Sequence, residues 1–239
     1  MKDKLPISEE FYSQQGEGMF TGVPSYFVRT SGCGLRCSWC DTPYTSWKPE
    51  TKLVSRHEII DRIAASGARH VVLTGGEPML HPEQLADIIR ACALLGKPVT
   101  VETSGVIWDS RVLPTLWSVS PKLRSATPDQ GTGQGSEAEN AAARRLHEKN
   151  NDLSKLAMFQ DACEVQYKFV VTSEADVDEV KTLQAQYSLR TSKIWLMPEG
   201  RTAAEVMTKH AAVAKWCLDN GYNMSTRLHT LIWNAKRGV

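Results

Sequence analysis

Short runs of apolar, β-branched and aromatic residues recur at residues 25–30, 70–74, 98–102, 116–120, 165–171 and 193–197, and each predicts a strand. Between several of them the apolar spacing lengthens to three and four, at 55–66, 82–95 and 174–186, which predicts helices. The first of these opens with Ser55 and Glu58 at the spacing of a capping box. Alternating strands and helices of this kind are satisfied by buried parallel strands joined through right-handed crossovers. Six such units predict an α/β fold, a partial (β/α)6 TIM-like barrel that does not close. One stretch breaks the rhythm. Residues 125–136 hold three glycines and a proline, and a polar helical pattern follows through residue 149. This predicts an inserted excursion around 125–160, either a functional lid or a surface insertion. No internal repeat is visible.

A length of 239 residues with 41% hydrophobic content supports a single domain spanning 1–239. The formal net charge is +1 and the charges are dispersed, so neither a nucleic-acid stripe nor a membrane-surface face is expected. The opening residues, Met1 to Ile7, hold no apolar core of secretory length and no segment reaches membrane-spanning length, which predicts a cytoplasmic protein without a membrane partner. Six cysteines, three of them between positions 33 and 40, fit a metal or cluster site better than a disulfide framework. Cys92, Cys163 and Cys217 sit among apolar neighbours and read as small core residues.

Cys33, Cys37 and Cys40 follow the first predicted strand in a C-x3-C-x2-C array, so three thiolates can converge from one short loop. Three soft ligands leave one iron of a four-iron four-sulfur cluster open to a further ligand. The competing reading is a structural zinc with His57 as fourth ligand, but no second C-x2-C knuckle is present. With Trp39 before the last cysteine and Thr74-Gly75-Gly76-Glu77-Pro78 after the second predicted strand, the chain resembles the radical S-adenosylmethionine enzymes. The resemblance implies that the reduced cluster splits S-adenosylmethionine, and that the cofactor-derived 5'-deoxyadenosyl radical, rather than a protein side chain, abstracts hydrogen. It implies that Cys33, Cys37 and Cys40 hold the cluster. Gly76, Glu102 and Ser104 would contact the cofactor, as would Ser120, Pro121 and Lys122 after the fourth strand and Met197, Pro198 and Glu199 after the sixth. An external one-electron reductant is required.

The segment Phe11-Tyr12-Ser13-Gln14-Gln15-Gly16-Glu17-Gly18, with Arg29, Cys40-Asp41-Thr42, Glu102-Thr103-Ser104-Gly105, Ser120-Pro121-Lys122 and Arg227-Leu228-His229, resembles the 7-carboxy-7-deazaguanine synthase family over nearly the whole chain. That resemblance implies conversion of 6-carboxy-5,6,7,8-tetrahydropterin to 7-carboxy-7-deazaguanine with loss of ammonia, in queuosine and 7-deazapurine biosynthesis. Magnesium, regenerated S-adenosylmethionine and a homodimer belong to the same implication. Gln14, Gln15, Gly16 and Glu17 would read the pterin edge, Arg29 would bind the substrate carboxylate, and Thr74 and His229 would border the substrate. Arg29 also fits a plain surface arginine, and His229 a structural histidine. Thr42 would ligate magnesium, its rival reading being a helix-capping hydroxyl. Gln14 stands where related chains often carry leucine. The alternative activity is that of an activating enzyme for a glycyl-radical protein, which shares the cysteine spacing but acts on a protein partner.

Overall fold

A computed structural model describes residues 3–129, 134–161 and 163–239. Among them nine strands form one sheet in the order β3-β1-β2-β4-β5-β6-β7-β8-β9. The strands are β1 (Lys4–Gln14), β2 (Pro24–Thr30), β3 (Lys52–Ser55), β4 (His70–Gly75), β5 (Val99–Thr103), β6 (Leu116–Val119), β7 (Glu164–Val171), β8 (Ile194–Pro198) and β9 (Asn223–Met224). The helices are α1 (Arg56–Ala65), α2 (Pro82–Leu94), α3 (Glu137–Asn150), α4 (Glu174–Tyr187), α5 (Ala203–Asn220) and α6 (Leu228–Trp233). From β2 to β9 every pairing is parallel. The outer strands β3 and β9 do not meet, so the expected partial barrel is an open, curved sheet.

The six expected strands are β2 and β4 to β8. Their residues are nearly all buried: β7 alone encloses Val165, Tyr167, Phe169 and Val171 at 1% exposure or less. Strands this apolar need helices on their outer face, which α1, α2, α4 and α5 supply by burying residues such as Ile59, Ile88, Val180 and Val213. The capping box at Ser55 forms as the spacing predicts, and two more, Ser136 with Glu139 and Thr202 with Glu205, start α3 and α5. Cys92 and Cys217 are buried, and Cys163 packs against the same core.

Three strands escape the apolar pattern. β1 pairs antiparallel with both β2 and β3, extending the sheet before its first parallel strand. Its sequence holds Pro6, Glu9 and Glu10, because it lies near the sheet edge and faces solvent in part. A register shift between Ile7 and Glu9 marks a bulge, beyond which Glu9 and Phe11 join the lining of the central cleft. The excursion between β6 and β7 contains α3, and residues 130–133 of it lie outside the described residues.

Candidate active site

The loops after the parallel strands surround a cleft of about 290 Å³ at the C-terminal end of the sheet. The loop after β2, which carries the three cysteines, is knitted to the loop after β4. Gly76 N–H donates to Thr30 O at 3.0 Å and Glu77 N–H to Gly32 O at 2.8 Å. A Cβ on Gly76 would stand 2.1 Å from Gly32 O, so the two backbones approach too closely for any side chain. The sequence reading assigned that glycine to the cofactor; the packing of one loop on the other already demands it. The Glu77 carboxylate accepts from Met79 N–H at 3.0 Å, Thr103 Oγ1 at 2.7 Å, Ser104 N–H at 2.9 Å and the Ser104 hydroxyl. It thereby ties the glycine-rich turn to the end of β5.

Cys33, Cys37 and Cys40 are all free thiols lining this cleft. Burial, with Glu77 adding to it, pushes the Cys33 thiol up to about 11, and burial pushes Cys37 up to about 12 against the pull of Lys122. Protein charge alone therefore leaves the Cys33 and Cys37 sulfurs protonated, and thiolates at these two positions call for a metal's charge. Among the described residues no three His, Cys, Asp or Glu side chains gather closely enough to hold one ion. Three soft donors spread around one cleft suit the separate corners of an iron-sulfur cluster. His57 lies on α1, exposed, 3.7 Å from Asp3, and does not line the cleft. The loop's carbonyls are held from outside: Trp47 Nε1 donates to Cys37 O at 3.1 Å, and Arg201 Nη2 and Gln134 Nε2 each donate to Cys40 O at 2.7 Å.

Of the residues expected around the cofactor, Gly76, Glu102, Ser104, Ser120, Lys122, Met197 and Glu199 line the cleft, whereas Pro121 and Pro198 do not. Lys122 donates to Ser120 Oγ at 2.8 Å and stands 5.6 Å over the Trp39 ring, and Lys209 holds Glu199 at 2.5 Å. The expected substrate residues Gln14, Gln15, Gly16, Glu17, Arg29, Thr74 and His229 all line it too, as does Thr42. Glu102 joins the two groups. Gln15 Nε2 donates to its Oε1 at 3.1 Å and Thr74 Oγ1 to its Oε2 at 2.9 Å. Each carboxylate oxygen accepts more than one hydrogen bond, so Glu102 keeps capacity for a ligand. Gly16 is fixed against the C-terminal segment: Leu228 N–H donates to Gly16 O at 2.9 Å, and a Cβ there would strike His229. Thr42 precedes a short 3-10 turn, yet its side chain caps nothing. Its hydroxyl accepts from Thr45 Oγ1 at 3.4 Å.

Glu17, expected to read the pterin edge, is engaged by two cations of the chain itself. Lys168 on β7 bonds one Glu17 oxygen, and Arg227 Nε reaches the other at 3.1 Å. Burial alone would raise the Glu17 carboxyl, but Lys168 and Arg227 together hold it far below the usual range. Arg227 also pairs with Asp41. Lys168 was missed although it carries a signal, a lysine in the buried middle of a strand. Glu9, Phe11, Tyr44 and Arg201 were missed as cleft residues as well.

Comparison with known proteins agrees with this geometry. The Radical SAM superfamily profile matches residues 27–123. The chain is 43% identical over 240 residues to a 7-carboxy-7-deazaguanine synthase of Halobacterium salinarum, covering 96% of this chain and 91% of that one. A 7-carboxy-7-deazaguanine synthase of Rhodopirellula baltica is 37% identical, with 100% of this chain and 90% of the relative covered. Among solved structures, QueE from Escherichia coli superposes with a TM-score of 0.65 at 27% identity, covering 95% of both chains. The chain belongs to the 7-carboxy-7-deazaguanine synthase family, within the radical S-adenosylmethionine superfamily.

Proposed function

We propose that this protein converts 6-carboxy-5,6,7,8-tetrahydropterin to 7-carboxy-7-deazaguanine with loss of ammonia, acting as a lyase in the route to queuosine and other 7-deazapurines. The observation that carries this reading is a cleft lined together by the three cysteines, Arg29, Glu102 and Thr74, in a chain whose relatives bear that enzyme's name. When bound through Cys33, Cys37 and Cys40, a four-iron four-sulfur cluster with S-adenosylmethionine supplies a 5'-deoxyadenosyl radical for hydrogen abstraction.

The remaining steps belong to the chain. Arg29 is planar and always charged; Glu9 occupies its Nε and leaves the outer guanidinium nitrogens for a carboxylate. Gln15 and Thr74 fix Glu102, whose carboxylate is suited to the N–H groups along a pterin edge or to ribose hydroxyls. Glu17 acts through the hairpin: clamped by Lys168 and Arg227, it holds Gln15 and Gly16 in place rather than presenting a free carboxylate. Thr42, with its hydroxyl uncommitted to capping, is the protein ligand for a magnesium ion otherwise held by substrate and water oxygens. The cleft, about 290 Å³ and walled by charges, suits a small polar substrate and not a protein backbone, which disfavours the glycyl-radical activating reading. We place the enzyme in the cytoplasm as a single-domain homodimer supplied by an external one-electron donor. No helix among the described residues is long and apolar enough to cross a membrane.

The test is anaerobic incubation of the reconstituted, reduced protein with the pterin and S-adenosylmethionine, followed by mass spectrometry. The product mass should be that of the deazaguanine acid, with ammonia released and S-adenosylmethionine recovered. Cofactor cleavage without change to the pterin would refute the assignment.

A further inference from the structure

The excursion after β6 returns onto the cysteine loop. α3 meets residues 33–37 at its C-terminal end through two hydrogen bonds: Arg36 N–H donates to His147 Nδ1 at 3.2 Å, and Asn150 Nδ2 donates to Gly34 O at 2.8 Å. His147 is fully buried. Since Nδ1 accepts, the neutral ring carries its proton on Nε2, and that nitrogen has no partner among the described residues. An unpaired buried donor is destabilising, because the water it gave up on folding is not replaced. Packing alone would be better served by leucine, so the lone pair directed at Arg36 is what justifies a histidine there.

We propose that His147 is a positioning residue for the cluster loop: it takes up the Arg36 N–H, one residue before Cys37, and so withholds that donor from the cluster sulfurs. Hydrogen bonds to cluster sulfurs are among the levers that set reduction potential. An N–H turned toward them stabilises the reduced, more negative cluster and makes it a weaker donor. His147 keeps that N–H engaged with α3 and the cluster strongly reducing. The excursion is thereby the outer wall of the metal site.

Two variants separate this from a purely structural role. His147→Leu keeps apolar bulk and loses the acceptor; His147→Gln keeps an acceptor. In the metal-free protein, hydrogen exchange at the Arg36 amide should quicken about tenfold in the leucine variant, the worth of one hydrogen bond, and stay near wild type with glutamine. After reconstitution, the cluster potential should move positive in His147→Leu and return in His147→Gln. Unchanged exchange or an unchanged potential in the leucine variant overturns the proposal. Should that variant not fold, an Arg36 amide exchanging at the unprotected rate in wild type overturns it equally. The inference rests on the cluster assignment, and the two fail differently. A wild-type protein that takes up no iron-sulfur cluster refutes the assignment, whereas a loaded wild type indistinguishable from His147→Leu refutes only the role of His147.

Discussion

Arg29 and Glu9 stand directly opposite each other across the antiparallel β1–β2 pair, and Arg29 Nε donates to Glu9 Oε1 at 2.7 Å. Glu9 also accepts from Tyr44 Oη and Arg237 Nε at 2.9 Å each. One carboxylate therefore links the β2 arginine, the cysteine loop and the C-terminal segment, and orients the guanidinium toward the cleft. The bulge before Glu9 sets this parity; without it the pair would point elsewhere.

Removing the guanidinium removes the substrate's carboxylate anchor and leaves the cysteines untouched. Arg29→Ala should retain its iron and its visible absorbance but lose about 10- to 100-fold in kcat/KM for the pterin, the worth of a charge-assisted hydrogen bond. Lysine restores charge without the planar fork, so Arg29→Lys should recover only part of this. Steady-state kinetics with undiminished cluster content checks it, and full activity in the alanine variant would discard the role.

Lys168 is buried between Glu17 and Glu102, 4.0 Å from the latter. Burial alone would lower its pKa, but the two carboxylates raise it, so the ammonium stays charged. Deleting one member of a buried pair strands the other. Lys168→Met should destabilise the folded chain by about 3–5 kcal/mol, read as a shift in urea midpoint.

His70 is sealed beneath the sheet. Ser25 Oγ donates to Val23 O, so His70 Nδ1–H donates to Ser25 and Nε2 accepts from Thr100 Oγ1, each at 2.8 Å. Burial pushes His70 down to about 4 from an ordinary 6.5. Between those values the unfolded chain binds a proton that the folded chain refuses, so stability is full above about pH 6.5 and falls as pH drops toward 4. The loss approaches about 3 kcal/mol at most. Urea titrations across this window should show it, and a His70→Gln variant should lessen the slope, the remainder belonging to other depressed histidines such as His147.

Thr42 lies two residues after the last cluster cysteine, with its hydroxyl free of capping duty. If it ligates magnesium, chelation should slow product formation severalfold, and Thr42→Val should abolish most of the magnesium response while leaving cluster content intact. Equal rates with and without chelator would remove Thr42 from that assignment.

Much of this was legible in the sequence because buried parallel strands are dominated by apolar residues. Residues 165–171 and 70–74 announce themselves, as do the cysteine array and the glycine-rich turn after β4. β1 did not, since a strand one place in from the sheet edge, holding Pro6 and two glutamates, carries no strong period. Placement of the candidate site followed from motif residues at strand ends, so nearly all of them line one cleft. Their partners were less visible. The pairing of Glu17 with Lys168 and Arg227 spans 151 and 210 positions, and no local pattern encodes such distant charges. The hold of His147 on Arg36 is hidden likewise, because a helix with a polar surface gives no sign of what its buried face touches.

The central claim is that Cys33, Cys37 and Cys40 grip a four-iron cluster whose remaining corner receives S-adenosylmethionine. Electron paramagnetic resonance of anaerobically reconstituted, reduced protein, recorded before and after that nucleotide is added, tests it most directly. The account predicts a reduced-cluster signal that changes in shape and g-values on addition. A spectrum indifferent to the nucleotide, or metal analysis finding zinc in place of iron, would contradict it.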